Sequence, residues 1–281
     1  MNQFGREEKT SSSLLEQLKS EERRWQDQVG NDLIEKSYQW EGSRYIYERQ
    51  FEKITNDMHI KENSFLLEVG CGRGQFLSWI YKRFASQKLT LFGLDLSEGL
   101  ADVKQKNNPD ICWIVADGEN LPFPESRFNI VVFNGSLHHM PDFDKALQEA
   151  FRVIAPEGHI FLFEPMSTGF SRLMHHLLDP FIFKKTQYES PVDIYCKDNF
   201  KFSRLREIIT EAGFTYTHSW HDFLAYPLTG CYAGSQFSKS AGLMRVMASL
   251  EDTLQKIPVI RQVLNLFCWR LLIDIYRKTG G

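Results

Sequence analysis

The chain has 281 residues, with 33 Lys+Arg against 36 Asp+Glu and a net charge of −3. At about 150 residues per domain, this length allows two domains or one elaborated α/β domain. An apolar share of 42% with 25% charged residues excludes disorder over most of the chain, and the missing basic excess argues against a general nucleic-acid binder. No apolar run reaches the roughly 18 residues of a membrane-spanning helix. The polar start, Met1 to Ser13, does not read as a signal peptide. Five cysteines, at 71, 112, 196, 231 and 268, form no C-x-x-C pair, which points to reduced thiols in a cytoplasm rather than disulfides or a zinc ribbon. The 22 phenylalanines suggest a large apolar core or a greasy pocket.

Ser13 with Glu16 reads as a capping box opening a first helix with Leu14, Leu15 and Leu18 on one side. Tyr47, Phe51, Ile54 and Met58 mark a second helix. The charges between them, Glu21 to Arg24, are expected on a solvated face. From residue 65 short apolar runs alternate with amphipathic stretches. The runs are Phe65–Val69, Leu89–Leu94, Ile111–Val115, Asn129–Phe133 and His159–Phe163. Between them fall helical patterns at Phe76–Phe84, from about Ser97, and at Ala146–Ile154. This alternation predicts a doubly wound α/β fold with a mostly parallel sheet and helices on both faces. Beyond Glu164 come a helix at 202–212, a weak strand at Phe214–Trp220 and a last strand at Leu266–Tyr276. The intervening stretch carries an apolar stripe, Leu243, Val246, Met247, Leu250, Leu254 and Ile257, on one helix face. Its polar sides hold Lys239, Arg245 and Lys256 against Glu251 and Asp252. Burial of the stripe against the sheet domain, a second subunit or a bound acceptor is therefore favoured over membrane contact.

The first run ends in Glu68-Val69-Gly70-Cys71-Gly72-Arg73-Gly74-Gln75. Glycines at such a strand–helix turn allow tight turning and close ligand approach. The dinucleotide fingerprint needs glycine where Gln75 stands. Asp95 ends the second run, roughly 20 to 25 residues on, where an acid can take ribose hydroxyls, and Asp117 ends the third. A lone aspartate after a strand is a common turn residue, but three acidic strand ends in series are not.

These segments, with Gly93-Leu94-Asp95-Leu96-Ser97, Ala116 to Phe123, Phe128 to Met140 and Arg152 to His159, resemble the successive motifs of class I S-adenosylmethionine-dependent methyltransferases. The subgroup implied is that of quinone-biosynthesis and natural-product enzymes. The resemblance is strong over about 60–165. It implies a seven-stranded Rossmann-like sheet with its last strand antiparallel and S-adenosyl-L-methionine as cofactor. It extends weakly to the last strand and hardly to 1–55 and 221–265, so the expected organisation is a helical N-terminal extension or lid (1–58), a cofactor-binding core (59–220), a helical insertion (221–265) and the last strand (266–281). Main chain at Gly70, Cys71, Gly72 and Gly74 would cradle the methionine part, with Glu68 facing its amino group. Asp95 would accept the ribose hydroxyls and Leu96 would lie against the adenine. Asp117 would take the adenine amino group beside Gly118, and Asn134 and Ser136 would line the methionine end. Acidic residues suit a sulfonium and an ammonium.

Methyl transfer needs a base only where the acceptor arrives protonated. His138 and His139 are the candidate catalytic residues, with pocket shaping favoured over base catalysis. For His175 and His176, core packing is favoured. His218, His221 and Asp222 make a poor metal set, so no metal is expected. Trp40, Tyr45 and Tyr47 are lid candidates. Phe170, Phe181, Phe183, Tyr188 and Tyr195, with Phe223, Tyr226, Leu228, Tyr232 and Phe237, suggest an apolar or amphipathic small-molecule acceptor. A protein or RNA methyltransferase, or a non-catalytic assembly partner, is the alternative. The stretch after the fourth run, Asn134-Gly135-Ser136-Leu137, lacks the Pro-Pro-Tyr type of motif.

Overall fold

The computed structural model describes residues 4–30, 38–97, 108–165, 190, 192, 200–223, 225–228, 236–266 and 268–277. The helix expected from about Ser97, His175, His176, Tyr232 and the aromatics from Phe170 to Tyr195 lie outside them.

Seven strands form one sheet in the order β3-β2-β1-β4-β5-β7-β6. They are β1 (Phe65–Val69), β2 (Thr90–Asp95), β3 (Cys112–Val115), β4 (Phe128–Asn134), β5 (Ile154–Pro165), β6 (Thr215–His221) and β7 (Arg270–Tyr276). β1 to β5 pair in parallel, and β7 runs antiparallel to both β5 and β6, as expected. Side chains alternate between two apolar layers. Leu67, Val131 and Phe133 face α4 (Phe143–Val153) and α5 (Phe202–Glu211). Leu66, Val132 and Phe161 face α2 (Glu41–Asp57), α3 (Gln75–Arg83) and α7 (Ala241–Gln255). Burial on both faces explains why the parallel strands read as continuous apolar runs.

Four local expectations change. The first helix, α1 (Phe4–Trp25), carries Ser13 in its interior, so the capping-box reading does not hold. The charged residues of its last turns are not all solvated, because Glu22 is buried. The last strand begins at Arg270. Ahead of it lies α8 (Pro258–Leu264), for which Pro258 supplies a preset first helical position. The short α6 (Ala225–Leu228) precedes α7.

The fourth change concerns the stripe on α7. Leu243 and Met247 of the stripe are half-buried against the core layer, but Val246, Leu250 and Ile257 are 61%, 44% and 45% exposed, and the residues turned fully inward are Met244, Ala248 and Glu251. The cause is electrostatic. Glu251 is fully buried and meets Arg49 at 3.2 Å and Lys53 at 3.4 Å. Lys53 also pairs with Asp222 at 3.2 Å, and Gln50 donates to Asp222 at 2.7 Å. Asp252 pairs with Arg49 from the rim. This network pins α7 to α2 and to the end of β6, and it fixes the rotation of α7.

Truncating one member of such a buried network strands its partners. Glu251→Ala should therefore cost about 3 kcal/mol in urea unfolding, while exposed Ser249→Ala should be near neutral. His221 lies beside the network, with its Nε2 and the Ser219 hydroxyl 2.7 Å apart. Burial first, then the Lys53 charge, lowers its pKa from 6.5 to about 4. Between those values the unfolded chain binds a proton that the folded one refuses. The stabilisation is thus present above pH 6.5 and lost as pH falls, by about 3 kcal/mol at pH 4. Urea titrations across this window should show a shallower pH slope for His221→Asn than for the wild type.

Candidate functional site

The turn after β1 is strained in a way only glycine accepts easily. Gly70, Gly72 and Gly74 have φ of 72°, 47° and 72°. A Cβ on Gly70 would fall 2.5 Å from Ser136 Cβ, and one on Gly74 would fall 2.4 Å from Trp113. A Cβ on Gly72 would meet nothing within 4 Å, so the backbone there borders open space. Three amide donors of the turn are already engaged. Gly70 and Cys71 N–H both donate to Leu94 O, at 2.8 and 2.9 Å, and Gly72 N–H donates to Asp95 Oδ2 at 2.7 Å. An anion-binding loop would need those donors. This turn instead suits a cationic ligand, with Glu68 buried beneath it.

Asp95 ends β2 and ties two loops together, since its other oxygen accepts from Ser97 N–H at 3.0 Å. Leu96 beside it is half-buried. Asp117 follows β3, and its Oδ1 accepts from Glu119 N–H at 2.9 Å. A Cβ on Gly118 would lie 2.8 Å from Met140 Cε, so Met140 fills the ground between the first and third loops.

Lys19 of α1 reaches into this edge, 2.8 Å from Asp117 and 2.5 Å from Glu119. Burial opposes its charge, but the hydrogen bonds to both carboxylates outweigh that and hold its pKa above the ordinary lysine value. Glu119 is raised, chiefly by burial, with Lys19 partly offsetting it. At the end of α1, Asp27 accepts a hydrogen bond from the Ser97 hydroxyl.

The ends of β4 and β5 make the other half. Asn134 ends β4. Ser136 is buried under the glycine turn, its hydroxyl donating to Val69 O at 2.6 Å. Glu164, fully buried near the end of β5, accepts from Ser136 and Leu137 N–H at 3.0 and 2.9 Å through one oxygen. Its second oxygen is 2.6 Å from His138 Nδ1. With Nδ1–H donated there, Nε2 carries the lone pair. The His139 ring lies 4.1 Å from that of His138, and its Nδ1 is 3.1 Å from Glu22 of α1 and 3.3 Å from the Ser190 hydroxyl. Burial works against the Glu22 charge, but the His139, Ser190 and Gln26 contacts prevail and lower its pKa.

The structure thus brings Glu68, the glycine turn, Asp95, Leu96, Asp117, Gly118, Asn134, Ser136, His138 and His139 to one edge of the sheet. Sequence reasoning missed Glu164, Lys19, Glu22 and Asp27. Glu164 had a signal, an acid closing an otherwise apolar run. The α1 residues had none beyond their charge. Tyr47 is a core residue stacked on Tyr38 at 5.0 Å. Trp40 and Tyr45 lie under Lys239 and Arg245 of the insertion rather than over the strand ends. His218 and His221, three apart on a strand, face opposite ways. Among the described residues no three His, Cys, Asp or Glu side chains converge as a metal set.

A family profile described as a methyltransferase domain matches residues 67–162. A demethylmenaquinone methyltransferase of Staphylococcus haemolyticus is 30% identical over 179 residues, which is 57% of this chain and 72% of that enzyme. A fatty-acid O-methyltransferase of Mycolicibacterium smegmatis is 36% identical over 100 residues, 35% of this chain and 36% of that protein. Several further curated relatives are matched over about half their length or less. The geranyl diphosphate C-methyltransferase of Streptomyces coelicolor A3(2), solved with S-adenosyl-L-homocysteine, shares the fold. Its TM-score is 0.55 at 16% identity, covering 83% of this chain and 79% of that one. Matched over 72% of a curated methyltransferase, with the family's own domain at its centre, this chain belongs to the S-adenosylmethionine-dependent methyltransferases, enzymes that use S-adenosyl-L-methionine as cofactor.

Proposed function

We propose that this enzyme methylates an apolar or amphipathic small molecule bearing an ionisable hydroxyl or an acidic carbon. The observation that carries the cofactor side is the glycine turn, with the amides of Gly70, Cys71 and Gly72 engaged by Leu94 and Asp95, bordered by acids on three strand ends. Bound S-adenosyl-L-methionine supplies an electrophilic methyl group on a sulfonium, displaced in line by the acceptor. Main chain at Gly70, Cys71, Gly72 and Gly74 meets the methionine part, and Glu68 meets its ammonium. Asp95 accepts the ribose hydroxyls, Leu96 packs on the adenine, and Asp117 beside Gly118 accepts the adenine amino group. Asn134 and Ser136 border the methionine end.

On the acceptor side His138 Nε2 takes the acceptor's proton, while Glu164 fixes the ring and its tautomer. His139, held by Glu22, forms the adjoining wall. The class of acceptor is supported by the relatives, a demethylmenaquinone and a fatty-acid methyltransferase by name. It is also supported by the aromatic-rich segments outside the matched domain.

Calorimetric titration with S-adenosyl-L-methionine and S-adenosyl-L-homocysteine tests the first half. Asp95→Ala removes charge-assisted hydrogen bonds worth about 1.5–3 kcal/mol each, so affinity should fall roughly tenfold or more in a folded protein. Unchanged affinity would dismiss the ribose assignment.

An acceptor panel of quinols, phenols and fatty acids tests the second half. In Glu164→Gln the amide can donate to His138 Nδ1, which moves the ring proton to Nε2 and removes the base. Turnover of a hydroxyl acceptor should drop roughly 10²–10⁴-fold with cofactor binding intact. A carboxylate acceptor arrives deprotonated at neutral pH and should be little affected. Equal losses on both acceptors would mean that Glu164 only shapes the pocket.

A further inference from the structure

Seven of the ten large apolar side chains that stand exposed among the described residues lie between Phe237 and Leu266. On α7 these are Val246 and Leu250, followed by Ile257 at its end. On and after α8 they are Val259, Val263 and Leu266, at 73%, 51% and 56% exposure. The two helices are consecutive and packed together, so the ridge runs across both.

The charges around it are one-sided. Glu251 is turned fully inward to Arg49 and Lys53, and Asp252 is paired with Arg49. What remains outward is Lys239, Arg245, Lys256 and Arg261, all exposed. Of the acids in this segment, Glu251 is consumed inside the fold and half-exposed Asp252 is neutralised by Arg49 at the rim. A chain of net charge −3 presents here a positively charged apolar face. No helix among the described residues is long and apolar enough to cross a membrane.

We propose that this face seats the enzyme on an anionic phospholipid bilayer, with the aliphatic ridge entering the headgroup boundary and the four cations meeting lipid phosphates. Amphipathic helices bind membrane surfaces through these two contributions together. A second copy of the chain fits less well. A two-fold contact through this patch would press the four cations of one copy against those of the other, and like-charge juxtaposition opposes association. The proposal is independent of which acceptor is methylated.

The test is flotation of the full chain, without cofactor or acceptor, on vesicles of phosphatidylglycerol mixed with phosphatidylcholine and on phosphatidylcholine alone. The wild type should float with the anionic vesicles and much less with the neutral ones. Val246→Asp with Val263→Asp should weaken partitioning at least about tenfold. Lys256→Glu with Arg261→Glu should do likewise, selectively on anionic vesicles. All four positions are exposed, so thermal unfolding should stay near the wild-type value, and the charge-reversal variant still reads the face if the aspartate variant misfolds. Absent flotation of the wild type, or equal flotation of wild type and variants, would overturn the proposal. So would sedimentation velocity showing a wild-type dimer that both variant pairs dissolve, with no vesicle binding. Cofactor titration of the same samples separates any of these outcomes from a failure of the methyltransferase assignments.

Discussion

Burial of the parallel strands on both faces is the constraint from which the site follows. A strand sandwiched between helical layers cannot carry charge along its middle without a buried partner. Charge is therefore driven to the strand ends, and in a parallel sheet the carboxyl ends of neighbours emerge together. Val69 is level with Leu94, and Asp95 with Val115. One carbonyl shows how tightly this edge is drawn, since Leu94 O receives both Gly70 and Cys71 N–H. That leaves a turn with acceptors in excess, next to acids, and hence a preference for a cation.

Acids that are not at the site are neutralised elsewhere, and doing so shapes the molecule. Glu251 and Asp222 are buried with Arg49 and Lys53, and so join a helix near the start of the chain to one near its end. Lys19, Glu22 and Asp27 do the same at the strand ends, each meeting a different loop. α1 is fastened by charge more than by apolar burial, Leu18 being buried and Leu14 46% exposed. Such fastening is weaker per contact and more open to competition by a charged ligand than a packed core would be.

The sheet and the residues gathered at its strand ends were legible in the sequence because their signals are local. The five apolar runs, the glycine turn and the acids that end strands all lie within a few residues of what they contact. Glu164 and His138 are separated by 26 residues, and Glu22 and His139 by far more, so no periodicity links them. The rotation of α7 is the sharpest case. Counting apolar positions groups Val246, Leu250 and Ile257 with Leu243 and Met247, yet only the last two pack on the core. The face that wins contains a glutamate, because Arg49, 202 residues earlier, stands opposite it. A helical stripe reports how much apolar surface exists but cannot report which side a distant charge will claim.

The same division is visible in what the family profile matches and what it leaves out. The matched domain ends at residue 162, just short of Glu164, and leaves out α1, α2, α7 and α8 entirely. The glycine turn and the acids after β2 and β3 all lie inside the matched domain and rest on short-range motifs. The rest of this edge is assembled by long-range contacts, with Glu22 of α1 meeting His139 and Lys19 meeting Asp117 and Glu119, while α7 is locked by charge to α2 on a face of the sheet. Substitutions in α7 can therefore accumulate without disturbing the turn after β1. They are bounded only by the need to keep Arg49, Lys53, Asp222 and Glu251 mutually neutralised.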